Sequence, residues 1–412
     1  YEVAGLLGSK ANLIVCDYSM IFHPQMRESL LKRTKKELGK SIIVIDEAHN
    51  LPDRCRDLMT ENLSSNTIDY AKKEAEKFGY FENIEFIELL NNIYDEIAKN
   101  KLLLDEDEIL ISKDDIISRI TKKIDYFQLI NDLEYLSEEV REKQRRSFIG
   151  SLTNFLKAWV NQDEGFIRIM KRGYFVNKKP YTLVSYRCLD PSIVINPIIK
   201  KAYSCIFMSG TLRPTNMYKD LLGISNTNIK EYKNPFPENN RLNIIVNSVT
   251  TKFTKRSEIM YKKIADKCSN ILDSVPGNSI VFFPSYDLLD RVSFFIKSKK
   301  KIYYEKPNST NEEKMSLLDE FKRSFLEGAS LMAVSSGSYG EGVDLPGNLL
   351  KCVVVVWLPL AKPDLETKQL VTYYDKKFGK GMEYGYMFPA LIRCIQNAGR
   401  CIRSENDKGV VV

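Results

Sequence analysis

Histidine is almost missing from these 412 residues: only His23 and His49 occur, which excludes a histidine-rich metal site. The eight cysteines stand at 16, 55, 188, 205, 268, 352, 394 and 401, with no C-x-x-C pair. Several (Cys16, Cys205, Cys352) lie inside apolar runs and read as reduced, buried thiols. The expected location is therefore intracellular: the cytoplasm or nucleoid of a prokaryote, or a nucleus. No run of about 18 apolar residues is present, so no membrane span is expected, and no secretory signal opens the chain. Charge of neither sign dominates. The 61 Lys and Arg against 54 Asp and Glu leave a net +7, which permits a polyanionic partner without demanding one. Also absent is a phosphate-binding G-x-x-x-x-G-K-S/T loop, and no internal repeat or low-complexity segment stands out.

With 43% hydrophobic and 28% charged residues the chain is globular, and its length asks for two or three domains. It opens at Tyr1 without Met and stops inside Val410-Val411-Val412, a strand just beginning, so it is expected to be part of a longer protein. The most informative string is Asp46-Glu47-Ala48-His49, directly behind Ile42-Ile43-Val44-Ile45. Four β-branched residues in a row read as a parallel-sheet strand buried on both faces. Two carboxylates then emerge at the carboxyl end of that strand, where open α/β sheets place their ligands. Asp46 can hold a hydrated Mg²⁺, and Glu47 can orient or deprotonate a water. That is the Walker B half of a nucleotide-hydrolysing site.

An apolar run over 13–16 precedes Asp17-Tyr18, and the charged stretch 25–38 has helical spacing, which predicts a β-α-β unit leading into the acidic motif. From about 55 to 169 the texture changes. Helical patterns over 68–78, 83–103 and 116–142 dominate and strand-like runs vanish, predicting a mostly helical insertion. An acidic knot (Asp105-Glu106-Asp107-Glu108) and a basic one (Lys143, Arg145, Arg146) read as solvated faces or loops. Strand-like runs return at 181–184 and 205–208, the second followed at once by Ser209-Gly210-Thr211-Leu212. Two prolines in Asn234-Pro235-Phe236-Pro237 mark a linker. Beyond it, strand patterns over 242–246, 279–283, 331–335 and 352–357 alternate with helical ones over 257–273, 288–297, 312–327 and 389–402. Such alternation predicts a second parallel α/β domain.

The glycine-rich stretch Ser336-Gly337-Ser338-Tyr339-Gly340-Glu341-Gly342-Val343-Asp344 follows one of these strands. Its glycines would let backbone approach a ligand closely, and Glu341 and Asp344 could hold ribose, water or a partner loop. An ordinary flexible β-α turn reads the same way. In Gln396-Asn397-Ala398-Gly399-Arg400-Cys401-Ile402-Arg403 the spacing i, i+4, i+7 would put Gln396, Arg400 and Arg403 on one helix face. Two aligned guanidiniums could clamp a phosphate chain; the plainer reading is a surface arginine stripe.

In the order DEAH, SGTL, GEGVD and QNAGRCIR, the chain resembles the XPD family of iron–sulfur superfamily-two DNA helicases. The likeness extends to Val15-Cys16-Asp17-Tyr18, to Asn50-Leu51 behind the acidic box, to Arg187-Cys188-Leu189-Asp190-Pro191-Ser192 and to Phe282-Phe283-Pro284-Ser285-Tyr286. It covers nearly the whole chain. The resemblance implies an α/β fold of two RecA-like parallel-sheet motor domains, the first incomplete, with a mostly helical arch-like insertion. Residues 1–58 and 173–236 would form the first motor domain, 59–172 the insertion and 237–412 the second motor domain. The implied activity is an ATP-dependent DNA helicase, moving 5′ to 3′ on single-stranded DNA and unwinding forked duplex in nucleotide excision repair. Repair-complex proteins would be partners, and no membrane is implied.

By the same resemblance, Asp46 would bind Mg²⁺ through water, Glu47 would activate the attacking water, and His49 would couple the nucleotide site to motion. Ser209, Gly210 and Thr211 would link hydrolysis to DNA grip. Glu341, Gly342 and Asp344 would contact nucleotide or DNA, while Gln396, Arg400 and Arg403 would reach the phosphates of ATP, Arg403 as the finger. Tyr18, Ser285, Tyr286 and Trp357 would touch the single strand, Trp357 being equally readable as structural. The family's phosphate loop and the four cysteine ligands of its 4Fe–4S cluster are not among these residues. The resemblance sets both upstream of Tyr1, so the chain by itself is expected not to hydrolyse ATP. Two other readings remain: a DinG-like iron–sulfur helicase working at forks or unusual DNA structures, and a non-catalytic scaffold that binds DNA or partners.

Overall fold

The computed structural model describes residues 2–102, 107–174, 179–340, 343, 345–360 and 363–412. The chain divides into two compact units, Tyr1–Thr227 with Asp364–Tyr373, and Asn228–Pro363 with Tyr374–Val412. The second unit thus starts a few residues before the proline linker, and residues 364–373 cluster with the first unit. Among the described residues no helix is long and apolar enough to cross a membrane.

The first unit holds β1 (Ile42–Ile45), β2 (Glu61–Ser64), β3 (Glu108–Leu110), β4 (Phe166–Tyr174), β5 (Pro180–Cys188) and β6 (Ser204–Phe207). β1 pairs in parallel with β6, Ile45 opposite Phe207. The expectation that β1 is buried on both faces is corrected: Ile43 and Ile45 are 9% and 4% exposed, Ile42 and Val44 60% and 54%. Side chains alternate across a strand, and core covers only one side of this two-stranded sheet among the described residues. Nor does a strand form over 13–16, where Leu13 and Val15 are exposed; the strand that β1 pairs with is β6.

The inserted region is α+β, which corrects the expectation that strand-like runs vanish there. An antiparallel sheet of order β2-β5-β4-β3 packs with the helices Ser65–Phe78, Ile84–Lys101, Asp114–Ile120, Tyr126–Lys143 and Phe148–Trp159. Their shared core includes Tyr94, Leu133, Phe155, Trp159, Met170 and Tyr186. β4 reads as polar in sequence because Arg168, Lys171 and Arg172 interrupt its apolar residues. Yet Arg168 is buried: its guanidinium pairs with Asp163 at 2.5 Å, donates to the carbonyls of Trp159 and Asn161 at 2.8 and 2.9 Å, and lies 5.1 and 4.7 Å from the rings of Trp159 and Tyr186. The sheet runs through residue 172, and β5, expected in the motor domain, belongs to it. Asp105 and Glu106 of the acidic knot lie outside the described residues.

The second unit is a six-stranded parallel sheet of order β7-β12-β11-β8-β10-β9. Its strands are β7 (Arg241–Asn243), β8 (Ser279–Phe283), β9 (Lys301–Tyr304), β10 (Ala329–Val334), β11 (Cys352–Val355) and β12 (Gly409–Val411). Alternate residues feed two cores. Val281, Phe283, Met332 and Val354 meet the helices Glu258–Ser274 and Tyr286–Ser293, whereas Ile280, Phe282, Leu331 and Val353 meet Phe321 of helix Asn311–Arg323 and Tyr339. Every residue of β8 and β10 is buried, as expected of central strands covered on both faces. Since all strands run in parallel, Ser285 after β8, Glu305 after β9, Ser335–Gly340 after β10 and Trp357 after β11 gather along one sheet edge.

Candidate functional site

Asp46 and Glu47 occupy the turn after β1, and Ser209–Thr211 the turn after β6, so parallel pairing sets the two motifs side by side. The Met208 N–H donates to the Ile45 carbonyl and the Ala48 N–H to that of Met208, each at 3.0 Å. Glu47 lies in the left-handed backbone region (φ 46°, ψ 42°), a conformation that costs a residue with a Cβ about 1–2 kcal/mol. The turn is held in it. Asp46 Oδ1 accepts the Glu47 N–H at 2.9 Å, and the Tyr18 hydroxyl donates to the carbonyls of Asp46 (2.5 Å) and Glu47 (3.0 Å). Tyr18, expected on the DNA path, thus braces the acidic turn. Burial, and then the charges of Glu47 and Asp46, push its phenol above the ordinary range, so it remains a donor at neutral pH.

Ser209 Oγ is the centre of the site. It donates to Glu47 Oε2 at 3.1 Å, accepts the Thr211 N–H at 3.0 Å, and lies 2.7 Å from His49 Nδ1. With its single proton on Glu47, the hydroxyl faces an Nδ1–H of His49, and that nitrogen also lies 3.2 Å from Glu47 Oε2. His49 is enclosed, with 4% of its side chain exposed, whereas 62% of the Glu47 side chain is accessible. The carboxylate can therefore meet a water while its inner oxygen stays tied to the second motif.

In the second unit helix Phe388–Ala398 stops before both arginines, which corrects the expectation of one helical face carrying Gln396, Arg400 and Arg403. Arg400 is buried: Nε donates to the Gly340 carbonyl at 3.0 Å, Nη1 to that of Val343 at 2.5 Å, and Nη2 to Gly340 as well. Its guanidinium thus grips the glycine-rich turn. Arg403 is exposed, and its N–H and that of Ser404 both donate to Asp407 Oδ2 at 2.8 Å. Burial of Asp407 would by itself raise its pKa, but the hydrogen bonds from Arg403 and Ser404 outweigh it and hold the carboxyl below its usual range. Gln396 stays within the helix, away from this turn in the chain.

Ser285 caps helix Tyr286–Ser293 by accepting the Leu288 N–H at 3.3 Å, and the Tyr286 hydroxyl donates to Glu305 at 3.1 Å. Trp357 is half-exposed with φ 72°. Gly210 has open space around its Cα. Glu341, Gly342 and Asp344 lie outside the described residues. Two further carboxylates of this unit, Glu305 and Asp407, stand in no motif of the sequence. Glu305 carried the same signal as Asp46, an acid directly behind a strand.

The exposed Asp46 carboxylate at a strand end fits a hydrated Mg²⁺: a hard oxygen donor with room for water. The described residues supply no ligand set for a 4Fe–4S cluster, whose ligands the resemblance sets upstream of Tyr1. Among the described residues no three His, Cys, Asp or Glu side chains come together as a metal site. Burial pushes the thiols of Cys188, Cys268 and Cys352 up to about 12, as expected of inert core cysteines, but Cys16 is exposed, contrary to expectation.

Comparison with known proteins matches residues 1–68 to the DEAD_2 family and residues 268–412 to the Helicase C-terminal domain. The chain is 27% identical over 408 residues to the ATP-dependent DNA helicase XPD of Sulfolobus acidocaldarius, covering 97% of this chain and 68% of that protein. It is 25% identical over 472 residues to the ATP-dependent DNA helicase CHL1 of Debaryomyces hansenii, covering 97% of this chain and 55% of the relative. A solved XPD helicase superposes with a TM-score of 0.63 at 27% identity, over 96% of this chain and 67% of that one. Such structures contain RecA-like helicase domains. The acidic box tied to its Ser-Gly-Thr partner, the parallel second sheet and these matches lead to one conclusion: the chain belongs to the XPD-like family of superfamily-two DNA helicases.

Proposed function

We propose that the protein carrying this chain is an ATP-dependent helicase that moves 5′ to 3′ along single-stranded DNA and unwinds forked duplex in nucleotide excision repair inside the cell, alongside repair-complex proteins. The observation that carries the reading is the Glu47–Ser209–His49 contact, which ties a candidate catalytic base to a second motif. Asp46 would hold a hydrated Mg²⁺, which when bound neutralises charge on the phosphates of ATP. Glu47 orients the attacking water and takes its proton. Ser209 and His49 sense whether Glu47 is engaged and pass that state to the Ser209–Thr211 turn. Arg403 reaches the phosphates, and Tyr286 and Trp357 contact the DNA strand. Arg400 holds the glycine-rich turn in place for these contacts.

Similarity to a CHL1 helicase at nearly the same identity as to XPD supports a second reading, a related ATP-dependent DNA helicase not of the XPD type. ATP hydrolysis by the complete protein, with and without single-stranded DNA, tests the enzyme reading. Unwinding of duplexes with a 5′ or a 3′ tail tests polarity. Stimulation by DNA and preference for the 5′ tail are expected. No stimulation would leave a non-catalytic scaffold as the better account.

A further inference from the structure

Glu305 is a carboxylate where burial should be costly, 3% exposed at the carboxyl end of β9. Both of its oxygens are occupied. Oε1 accepts the Ser338 N–H at 2.6 Å and the Tyr286 hydroxyl at 3.1 Å, and Oε2 accepts the Val334 N–H at 2.8 Å. A Cβ on Gly337 would sit 2.4 and 2.6 Å from these oxygens, so only glycine lets the turn come this close. At the other end of the turn the Arg400 guanidinium takes the carbonyls of Gly340 and Val343. An anion takes the N–H groups of Val334, at the end of β10, and of Ser338, and a cation takes the C=O groups of Gly340 and Val343, each matched to the backbone dipole it meets. Tyr286, on the neighbouring strand end, is joined to the turn through the same carboxylate.

We propose that Glu305 is a positioning residue, which sets the glycine-rich turn 335–340 and Tyr286 in the relative placement through which bound single-stranded DNA stimulates ATP hydrolysis. This rests on the helicase reading above. Glutamine is the discriminating replacement, since a carboxamide has one acceptor oxygen where Glu305 uses two. Its NH₂ must face either the Val334 N–H or the Ser338 N–H together with the Tyr286 hydroxyl.

In the complete protein, ATP hydrolysis is measured with and without an oligothymidine for wild type, Glu305→Gln, Gly337→Ala, the double variant and Glu312→Gln, an exposed carboxylate on the next helix. Glu305→Gln is expected to lower the ratio of stimulated to unstimulated rate roughly 10- to 100-fold, the size set by one charge-assisted hydrogen bond. Its melting temperature should stay within a few degrees of wild type. Gly337→Ala should act alike, with the double variant no worse than either single one because both break one contact. Glu312→Gln should keep the wild-type ratio. A wild-type ratio in Glu305→Gln overturns the proposal, as does a parallel loss of both rates tracking a lowered melting temperature, which would make Glu305 structural only. Absence of stimulation in the wild type would instead be a failure of the helicase reading, visible before any variant is made.

Discussion

Ser209 uses one hydroxyl for three hydrogen bonds, and the partner that matters most, Glu47, stands 162 residues away in the chain. Two substitutions separate the roles in that contact. Glu47→Gln keeps shape and hydrogen bonding but removes the base, so hydrolysis should fall by about 10²–10⁴ while ATP still binds. Ser209→Ala leaves the base in place, still 3.2 Å from His49 Nδ1, and cuts its tie to the Ser209–Thr211 turn. It should retain hydrolysis within about 10- to 100-fold, the worth of one hydrogen bond to a carboxylate, yet lose strand separation. Full unwinding by Ser209→Ala, followed on a fluorescent duplex, would remove the hydroxyl from the coupling. Asp407 offers a test in pH. Its folded carboxyl titrates below its unfolded value, so its stabilisation is complete above the unfolded range near pH 4 and is lost as pH falls through the lower folded value. Asp407→Asn should cost about 1–2 kcal/mol at neutral pH. The gap in melting temperature between the two proteins should close below about pH 4. A gap constant with pH would show that the charge contributes nothing. The acidic string was legible in the sequence because four apolar residues announce it; its hydrogen-bonding partner was not, because nothing local marks Ser209 as facing Glu47.

At the scale of elements, the end of helix Phe388–Ala398 decides what the two arginines can do. Spacing of i, i+4, i+7 is compatible with one helical face, but it binds the side chains to that face only if the helix continues. Here it gives way to a turn at Gly399 and Arg400, and Arg400 turns onto the carbonyls of Gly340 and Val343. The arginines should therefore respond differently. Arg400→Lys loses a planar multidentate donor and should destabilise the protein by about 1.5–3 kcal/mol. Arg403→Ala removes an exposed side chain and should cost under about 1 kcal/mol of stability, while hydrolysis falls by about 10³–10⁵ if it is the finger. Melting curves and ATPase rates on the two variants check both halves. Equal thermal loss in both would restore the single stripe. The inserted sheet shows the complementary difficulty: β4 carries three basic residues, and its strand pairing with β5 outweighs a pattern that reads as polar.

For the whole molecule, two compact units with separate cores imply unfolding that is not two-state. Scanning calorimetry should give a calorimetric enthalpy above the van't Hoff value, and one transition with equal enthalpies would contradict it. The sequence by itself determined the α/β class, the alternation of strands and helices in the second unit, and the acidic box at a strand end. Each of these follows from local periodicity and from residues adjacent in the chain. Tertiary structure decided the rest. Pairing of β1 with β6 brought Ser209 to Glu47 and left Ile42 and Val44 uncovered. The shared edge of a parallel sheet brought Glu305 to Gly337 and Tyr286, three chain segments whose spacing carries no period. Hydrogen bonds between such segments depend on which strands are neighbours, and strand order is settled by how the whole core packs rather than by any one stretch of sequence.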